Sequence, residues 1–370
     1  MASTKNRKRS GSRSKVAFRQ KSPGNRRAGT RKPTRRTRKT AAQRRLEQNL
    51  QTARRVVMAF ALVLVVFVGG VIQLFGGRYG VPTWNEVYHW LGLELPTPVE
   101  IPEGSTAVTF VDVGQGDAVL IQQGETTCLI DAGTADAADD LLETLRGQGI
   151  TRLDLLVLTH PHADHMGGMN AVLQNLSVET LLVPDFEALG LQSTAIMRLL
   201  TTAQGQGTTI EIAETGQNRP LGDGTLKVLS GGLVPQSDDS GAANNTSLCL
   251  LYTFGNFRFL DTGDAEQRGE QALVDQYGSA LRATLFKAGH HGSKTSNTED
   301  LLWAVQPQAV GVSCGYRNDY GHPHAEVLER YGDFNIEVHR TDLEGSLTYL
   351  WDGEALSVAA SGKAEWDRAA

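Results

Sequence analysis

Six residues in the middle of the chain, His160-Pro161-His162-Ala163-Asp164-His165, constrain the fold more than any other segment. They follow the apolar run Leu153-Asp154-Leu155-Leu156-Val157-Leu158. Such a run reads as a buried strand, which puts the cluster on the loop at the strand's end. Three imidazoles and a carboxylate on one tight turn suit two metal ions a few ångströms apart. His160 and His162 face one ion, and Asp164 and His165 the other. Imidazole and carboxylate donors suit zinc, manganese or iron. A polar loop with chance histidines is the plainer reading. With nine histidines in 370 residues, that spacing seldom arises by accident.

Two ions need a carboxylate that gives one oxygen to each. Asp264, in Leu260-Asp261-Thr262-Gly263-Asp264, follows a strand and a glycine turn and fits. Asp261 stands as its substitute. A further histidine is needed on the Asp164 and His165 side. His290-His291, after the strand-like run 283–286, supplies one; the pair is not resolved by sequence, with a lean to His290.

The histidine cluster with Gly167-Gly168 resembles the second motif of the metallo-β-lactamase superfamily. Five more segments are similar to the hydrolase domain of ComEC-type DNA-uptake proteins, in that family's order. They are 110–118, 262–266, 289–294, 320–324 and 340–345, and the resemblance covers about residues 105–360. It implies an αββα sandwich, two sheets face to face with helices outside. It also assigns the bridge to Asp264. Asp131, in Leu129-Ile130-Asp131-Ala132-Gly133, resembles the superfamily's first motif and is expected to orient a ligating histidine by accepting its free N–H. Asp112 or Asp117 is expected to line the site. One departure stands out. Many members carry a third histidine for the first metal, yet none occurs here between residues 166 and 289. Asn244-Asn245-Thr246-Ser247 lies in its place, and the oxygens of Asn245 and Ser247 are poorer zinc ligands than imidazole. ComEC-like domains share this feature, which argues against a true β-lactamase.

The chain splits sharply by charge. Residues 1–55 hold 20 Lys and Arg against one acid, and the rest holds 16 against 40. The basic segment has almost no large apolar residue before Leu46, so it reads as a disordered cytoplasmic tail able to touch anionic lipid. Residues 56–76 form an apolar run long enough to span a bilayer as a helix. Arg54 and Arg55 at its start put that end in the cytoplasm. A cleaved signal peptide is the rival, but no A-x-A-like site follows in 76–80. The expectation is a single-pass anchor with everything after it outside the cytosol. Residues 77–104 read as a linker, with a short interfacial helix near Thr83 and Glu86 as one option. Residues 361–370 form a C-terminal tail. The three cysteines, Cys128, Cys249 and Cys314, sit in apolar contexts and read as small buried hydrophobes.

In the outer domain, strand-like and amphipathic stretches alternate, as in a layered α/β domain. The expected chemistry is hydrolysis by water that two divalent ions, zinc or manganese, activate. A phosphodiester suits such a pair, and DNA is the substrate the ComEC resemblance implies. Asp164, Asp264 and His322 are the candidate catalytic residues. Ser293, Lys294 and His324 are candidates for holding phosphate oxygens, and Arg340-Thr341-Asp342 for positioning a loop. The acidic domain speaks against a polyanionic substrate. Hydrolysis of another envelope or small-molecule ester therefore stays open, as does an anchored metal-binding module without catalysis.

Overall fold

The computed structural model describes residues 41–75, 87, 101–236 and 242–362. The chain divides into two compact units, Met1–Val87 and Tyr88–Ala370.

In the first unit, Ala41–Phe75 is one helix of 35 residues. Within it, Leu50–Val71 is long and apolar enough to cross a membrane by length and composition, with mean hydropathy 2.1 over 22 residues. One expectation is corrected here. The segment read as disordered through residue 55 is helical from Ala41 onward. Residues 41–55 contain neither glycine nor proline and are rich in Ala, Gln, Arg and Leu, all good helix formers. Once the apolar stretch nucleates a helix, extending it N-terminally adds a hydrogen bond per residue. Residues 1–40 of the tail, the segment 363–370, and the linker helix expected near 83–91 (Val87 apart) lie outside the described residues.

The second unit is built on two sheets. The first has eight strands in the order β15 (Leu356–Ala360), β14 (Leu347–Trp351), β1 (Thr106–Phe110), β2 (Val119–Gln123), β3 (Thr126–Ile130), β4 (Arg152–Val157), β5 (Ser177–Val183) and β6 (Thr209–Ile212). The second has seven, in the order β13 (Glu337–Arg340), β12 (Ala309–Val312), β11 (Leu285–Lys287), β10 (Phe257–Asp261), β9 (Cys249–Phe254), β8 (Gly224–Ser230) and β7 (Asn218–Leu221). Each sheet pairs antiparallel hairpins with a parallel run, β3 to β6 in one and β10 to β13 in the other.

Three apolar clusters make the layering explicit. Phe110, Ile121, Val157, Phe259, Leu285 and Tyr349 belong to the cluster between the sheets. Leu141, Leu145, Val172 and Leu199 pack the helices Ala138–Gly147, Met169–Asn175 and Thr194–Gln206 on the first sheet. Leu273, Leu301, Leu302 and Val327 do so for Gln267–Tyr277, Glu299–Val305 and Ala325–Asp333 on the second. The order is helices, sheet, sheet, helices, the αββα sandwich. Strands covered on both faces read as continuous apolar runs, and β1 and β12 are buried along their whole length. The strands the sequence left unread include all four sheet edges, β6, β7, β13 and β15. They are partly exposed and lack an apolar run.

Phe110 ties the two sheets together. Its ring meets Phe259 edge-on at 5.9 Å and Tyr349 at 5.5 Å, with no exposed surface. Phe110→Ala removes both contacts and leaves a cavity between the sheets. The expected cost is about 3–5 kcal/mol, read as a lower denaturant midpoint at unchanged slope.

Candidate metal centre

The parallel strands of both sheets deliver their C-terminal ends to one edge of the sandwich, where sites of α/β folds form. From the first sheet come Asp131 after β3 and the histidine cluster after β4. From the second come Asp264 after β10, His290 and His291 after β11, and the loop 313–324 after β12. Loop 111–118, after β1, lies between them.

Two groups of donor atoms form there. Asp117, His165, Asp264 and His291 make one, and His160, His162 and Asp264 the other, with the atoms of each within 4.8 Å of one another. Asp264 is common to both. Its Oδ2 lies 3.2 Å from His165 Nε2 and 3.7 Å from the Nε2 atoms of His160, His290 and His291. Asp164 Oδ2 is 3.3 Å from His291 Nε2.

Local hydrogen bonds set which nitrogen each ring presents. Asp131 sits 2.7 Å from His165 Nδ1 and accepts from Thr159 N at 2.8 Å and Thr159 Oγ1 at 2.6 Å. That hydroxyl, its own proton spent on Asp131, accepts from His160 Nδ1 at 3.2 Å. The Ser313 carbonyl does the same for His291 Nδ1 at 3.1 Å. Each Nδ1 is therefore a donor, and each Nε2 faces the centre, where those of His165 and His291 offer a lone pair once a cation replaces the imidazolium proton. His162 turns the other way, with Nδ1 only 3.0 Å from His160 Nε2. His165 Nε2, His291 Nε2 and Asp264 Oδ1 are buried with no hydrogen-bond partner. Buried polar atoms of this kind are costly, and these converge. The donor set fits divalent cations such as zinc or manganese.

The electrostatics agree. Burial alone would depress the His165 pKa, yet Asp264 and Asp131 hold it well above the usual histidine range. His291 is likewise opposed by burial but raised to about 10 by Asp117 and Asp264. Burial raises the Asp164 carboxyl, but His291 and His165 bring it down to about 2. Burial and the charge of His165 hold His160 well below its usual value.

The other sequence candidates fall into place around this core. Of the histidine pair, His291 joins a donor group and is buried, whereas the favoured His290 joins neither. His290 stands at the rim, its Nδ1 3.5 Å from Glu266. Both adopt positive φ in a tight left-handed turn, which leaves the His291 ring buried and the His290 ring at the rim. Asp112 accepts from Gly114 N at 3.3 Å and shapes its own turn, while Asp117 lies within the centre. Asp261 accepts from Gly263 N and joins no donor group. Asn245 Oδ1 accepts from Glu266 N and Gly269 N, capping the helix Gln267–Tyr277. Ser247 Oγ accepts from Asp264 N at 3.0 Å and so positions the shared carboxylate. Ser293 is buried and bonded to Thr295, and Lys294 is exposed with its N–H on His324 Nδ1. His322 is nearly buried, its ring 5.4 Å from that of His290 and 6.0 Å from that of His291. Burial, then the neighbouring His291 and His290, lower its pKa to about 4. Arg340 grips Asp342 with two nitrogens, and Thr341 Oγ1 accepts from Cys314 N, so that segment holds a loop.

Lys287 went unread. Its ammonium is buried, 2.6 Å from Asp117 Oδ2, and donates to the carbonyls of Gly263 and Ala288. It places a fixed positive charge against the carboxylate that lies 3.3 Å from His291 Nδ1. A charged residue closing a buried strand was its only signal. Two glycines let the loops close. A Cβ on Gly116 would sit 2.4 Å from the Asp164 carbonyl oxygen, and one on Gly168 2.2 Å from that of Ala132.

Comparison with known proteins places this geometry. Residues 111–313 match the family model of the metallo-beta-lactamase superfamily. The chain is 32% identical over 265 residues to ComE operon protein 3 of Bacillus subtilis, covering 66% of this chain and 33% of that one. It is 33% identical over 291 residues to competence protein ComA of Neisseria gonorrhoeae, covering 78% and 38%. It thus spans about a third of the length of these relatives. Among solved structures, the metallo-beta-lactamase fold protein YhfI of Bacillus subtilis matches 70% of this chain and 98% of its own, with TM-score 0.45 and 15% identity.

Two predictions follow from the charges. In the metal-free protein, protonated His291 contributes stability fully below pH 6.5, and this is lost as pH rises through about 10. A bound cation replaces those protons. The gap in melting temperature between metal-loaded and chelated protein therefore widens from pH 6.5 to 10, as thermal denaturation in matched buffers will show. Separately, Lys287→Met leaves Asp117 buried without its cation. It should cost about 3–5 kcal/mol, and adding Asp117→Asn should recover part of that in denaturant unfolding.

Proposed function

The chain belongs to the metallo-β-lactamase superfamily, and on that premise we propose that it hydrolyses phosphodiesters, with nucleic-acid strands as the substrate class. The observation that carries this reading is the single carboxylate, Asp264, common to both donor groups. A shared bridge of this kind suits a paired-metal site, and such sites clamp the attacking and leaving oxygens of an in-line displacement. Divalent ions held there would acidify water and neutralise the charge that builds on the phosphoryl oxygens.

In this reading His160, His162 and Asp264 would hold one ion, and His165, His291 and Asp264 the other, with Asp164, whose Oδ2 lies 3.3 Å from His291 Nε2, completing that set in place of Asp117, which Lys287 already engages. Asp131 and Thr159 keep the imidazoles in the ligating tautomer. Asp117, pinned by Lys287, does the same for His291. His322 has its pKa lowered to about 4 and is neutral near pH 7. In this reading it would serve as a hydrogen-bonding group toward the substrate. Lys294 and His324 border the same rim and are placed to meet phosphate charge.

The helix Ala41–Phe75 supports a membrane anchor. Positive residues crowd the chain N-terminal to its apolar stretch, which by the positive-inside preference leaves the N-terminus cytoplasmic. The hydrolase domain would then act outside the cytosol. The relatives named for competence support DNA as its substrate.

One observation favours a second reading. Outside residues 1–55 the chain holds 40 acids against 16 Lys and Arg. An open groove of about 830 Å³ beside the centre is lined by Glu266, Asp275 and Glu326 as well as Arg268 and Lys294. Such a surface repels a long polyanion and suits a smaller envelope or metabolite ester.

The test assays a chromogenic phosphodiester, single-stranded DNA and duplex DNA with added manganese or zinc. Asp164→Ala should lower turnover by more than about a hundredfold, beyond the ten- to hundredfold typical of residues that only orient a ligand. Chromogen turnover without DNA cleavage would select the second reading, and no metal-dependent turnover of any substrate would reject both.

A further inference from the structure

The loop after β12 carries Tyr316-Arg317-Asn318-Asp319-Tyr320 before His322. Trp303 and Tyr320 are the exposed aromatic side chains among the described residues of the domain, each 65% exposed. Trp303 covers the edge of Phe334 at 5.1 Å. Tyr320 is different, because its ring stacks on His322, with centroids 5.6 Å apart and planes 22° from parallel. His322 in turn lies 6.0 Å from His291, whose ring is 5.3 Å from that of His165. A row of rings thus runs from the donor groups to the surface and ends in an open phenol face.

The loop is built to hold that face in place. Asn318 Oδ1 accepts from Tyr320 N at 3.2 Å and His322 N at 3.0 Å. Its Nδ2 donates to the carbonyls of Gly315 at 2.9 Å and His322 at 2.6 Å. Gln115 Oε1 accepts from Gly315 N at 3.1 Å, which fastens the loop to the segment carrying Asp117. Arg317 lies over Tyr316 of the same loop, 5.2 Å from the ring centre. A rigid, exposed aromatic face is the chemistry that takes an unstacked base, because every base offers a π-face.

Resting on the phosphodiester reading above, we infer that Tyr320 is a stacking platform for the base beside the phosphodiester being hydrolysed. It makes the site prefer base-bearing strands over bare sugar-phosphate or small diesters. Stacking tolerates sequence, so no preference among bases follows.

The test uses the full chain with manganese and two oligomers of equal length and charge. One is oligothymidylate, and the other carries tetrahydrofuran abasic units throughout. Wild type should prefer oligothymidylate. Tyr320→Ala should cut that preference by about tenfold, through a higher KM for oligothymidylate, and Tyr320→Trp should keep it. Equal losses on both oligomers, or no change on either, would overturn the platform and leave phosphodiester hydrolysis standing. If wild type cleaves neither oligomer while its metal-dependent turnover of a small diester persists, the platform and the nucleic-acid substrate fall together.

Discussion

Four carboxylates, those of Asp117, Asp131, Asp164 and Asp264, crowd one edge of this sandwich, and three of them are buried. Charges of one sign cannot share a low-dielectric site unless something positive joins them. Lys287 supplies one fixed charge. The raised pKa values of His165 and His291 show where protons gather to supply more. Divalent cations do the same work with higher charge density and with bare imidazole nitrogens as ligands. The site is therefore a fold-level requirement as well as a chemical one: its carboxylates are tolerable only as part of a cationic assembly.

Neither sheet holds that assembly alone. The histidine cluster and Asp131 belong to the first sheet, and Asp264, Lys287 and His291 to the second. Short contacts stitch the halves at the donor atoms. Leu248 N donates to the Thr159 carbonyl at 2.9 Å, and Lys287 Nζ lies 2.6 Å from Asp117 Oδ2. Within the first half, Gly116 and Gly168 let the loops after β1, β3 and β4 close on one another. Behind the stitches, the Phe110 cluster sets the spacing of the sheets. A shift there moves ligands of one half against those of the other, so core packing and site geometry are one problem.

The legible parts of this chain were those where local chemistry is unusual. H-x-H-x-D-H, Asp264 after its glycine, and Asp131 at a strand end each announce themselves by residue type and position. Interior strands such as β1 and β12 show as apolar runs because both faces are covered. The edge strands β6, β7, β13 and β15 do not, since an exposed edge needs no such run and is protected by being polar. His290 and His291 are identical in sequence terms. A left-handed turn, visible only in three dimensions, decides which ring enters the donor group. Lys287 was hidden for a related reason: a lysine near a strand end is ordinarily solvated, and only the closing of the second sheet over Asp117 buries it. Tyr320 looked like any loop tyrosine until His322 came to lie beneath it.

The two donor groups differ in ways that bear on how a substrate arrives. The group of Asp117, His165, Asp264 and His291 is buried at every member. In the other, His162 is only half-buried, and the histidine that many superfamily members place there is absent. Asn245, which lies in its stead, is turned away to cap a helix. That side is therefore both the less fully furnished and the more open to solvent. His290, at the rim with one-fifth of its side chain exposed, faces the same shared carboxylate from outside. On the His160 and His162 side three protein groups surround the shared position, against four on the other. The closed group ties the two sheets together, and the other leaves a donor position that no protein imidazole fills.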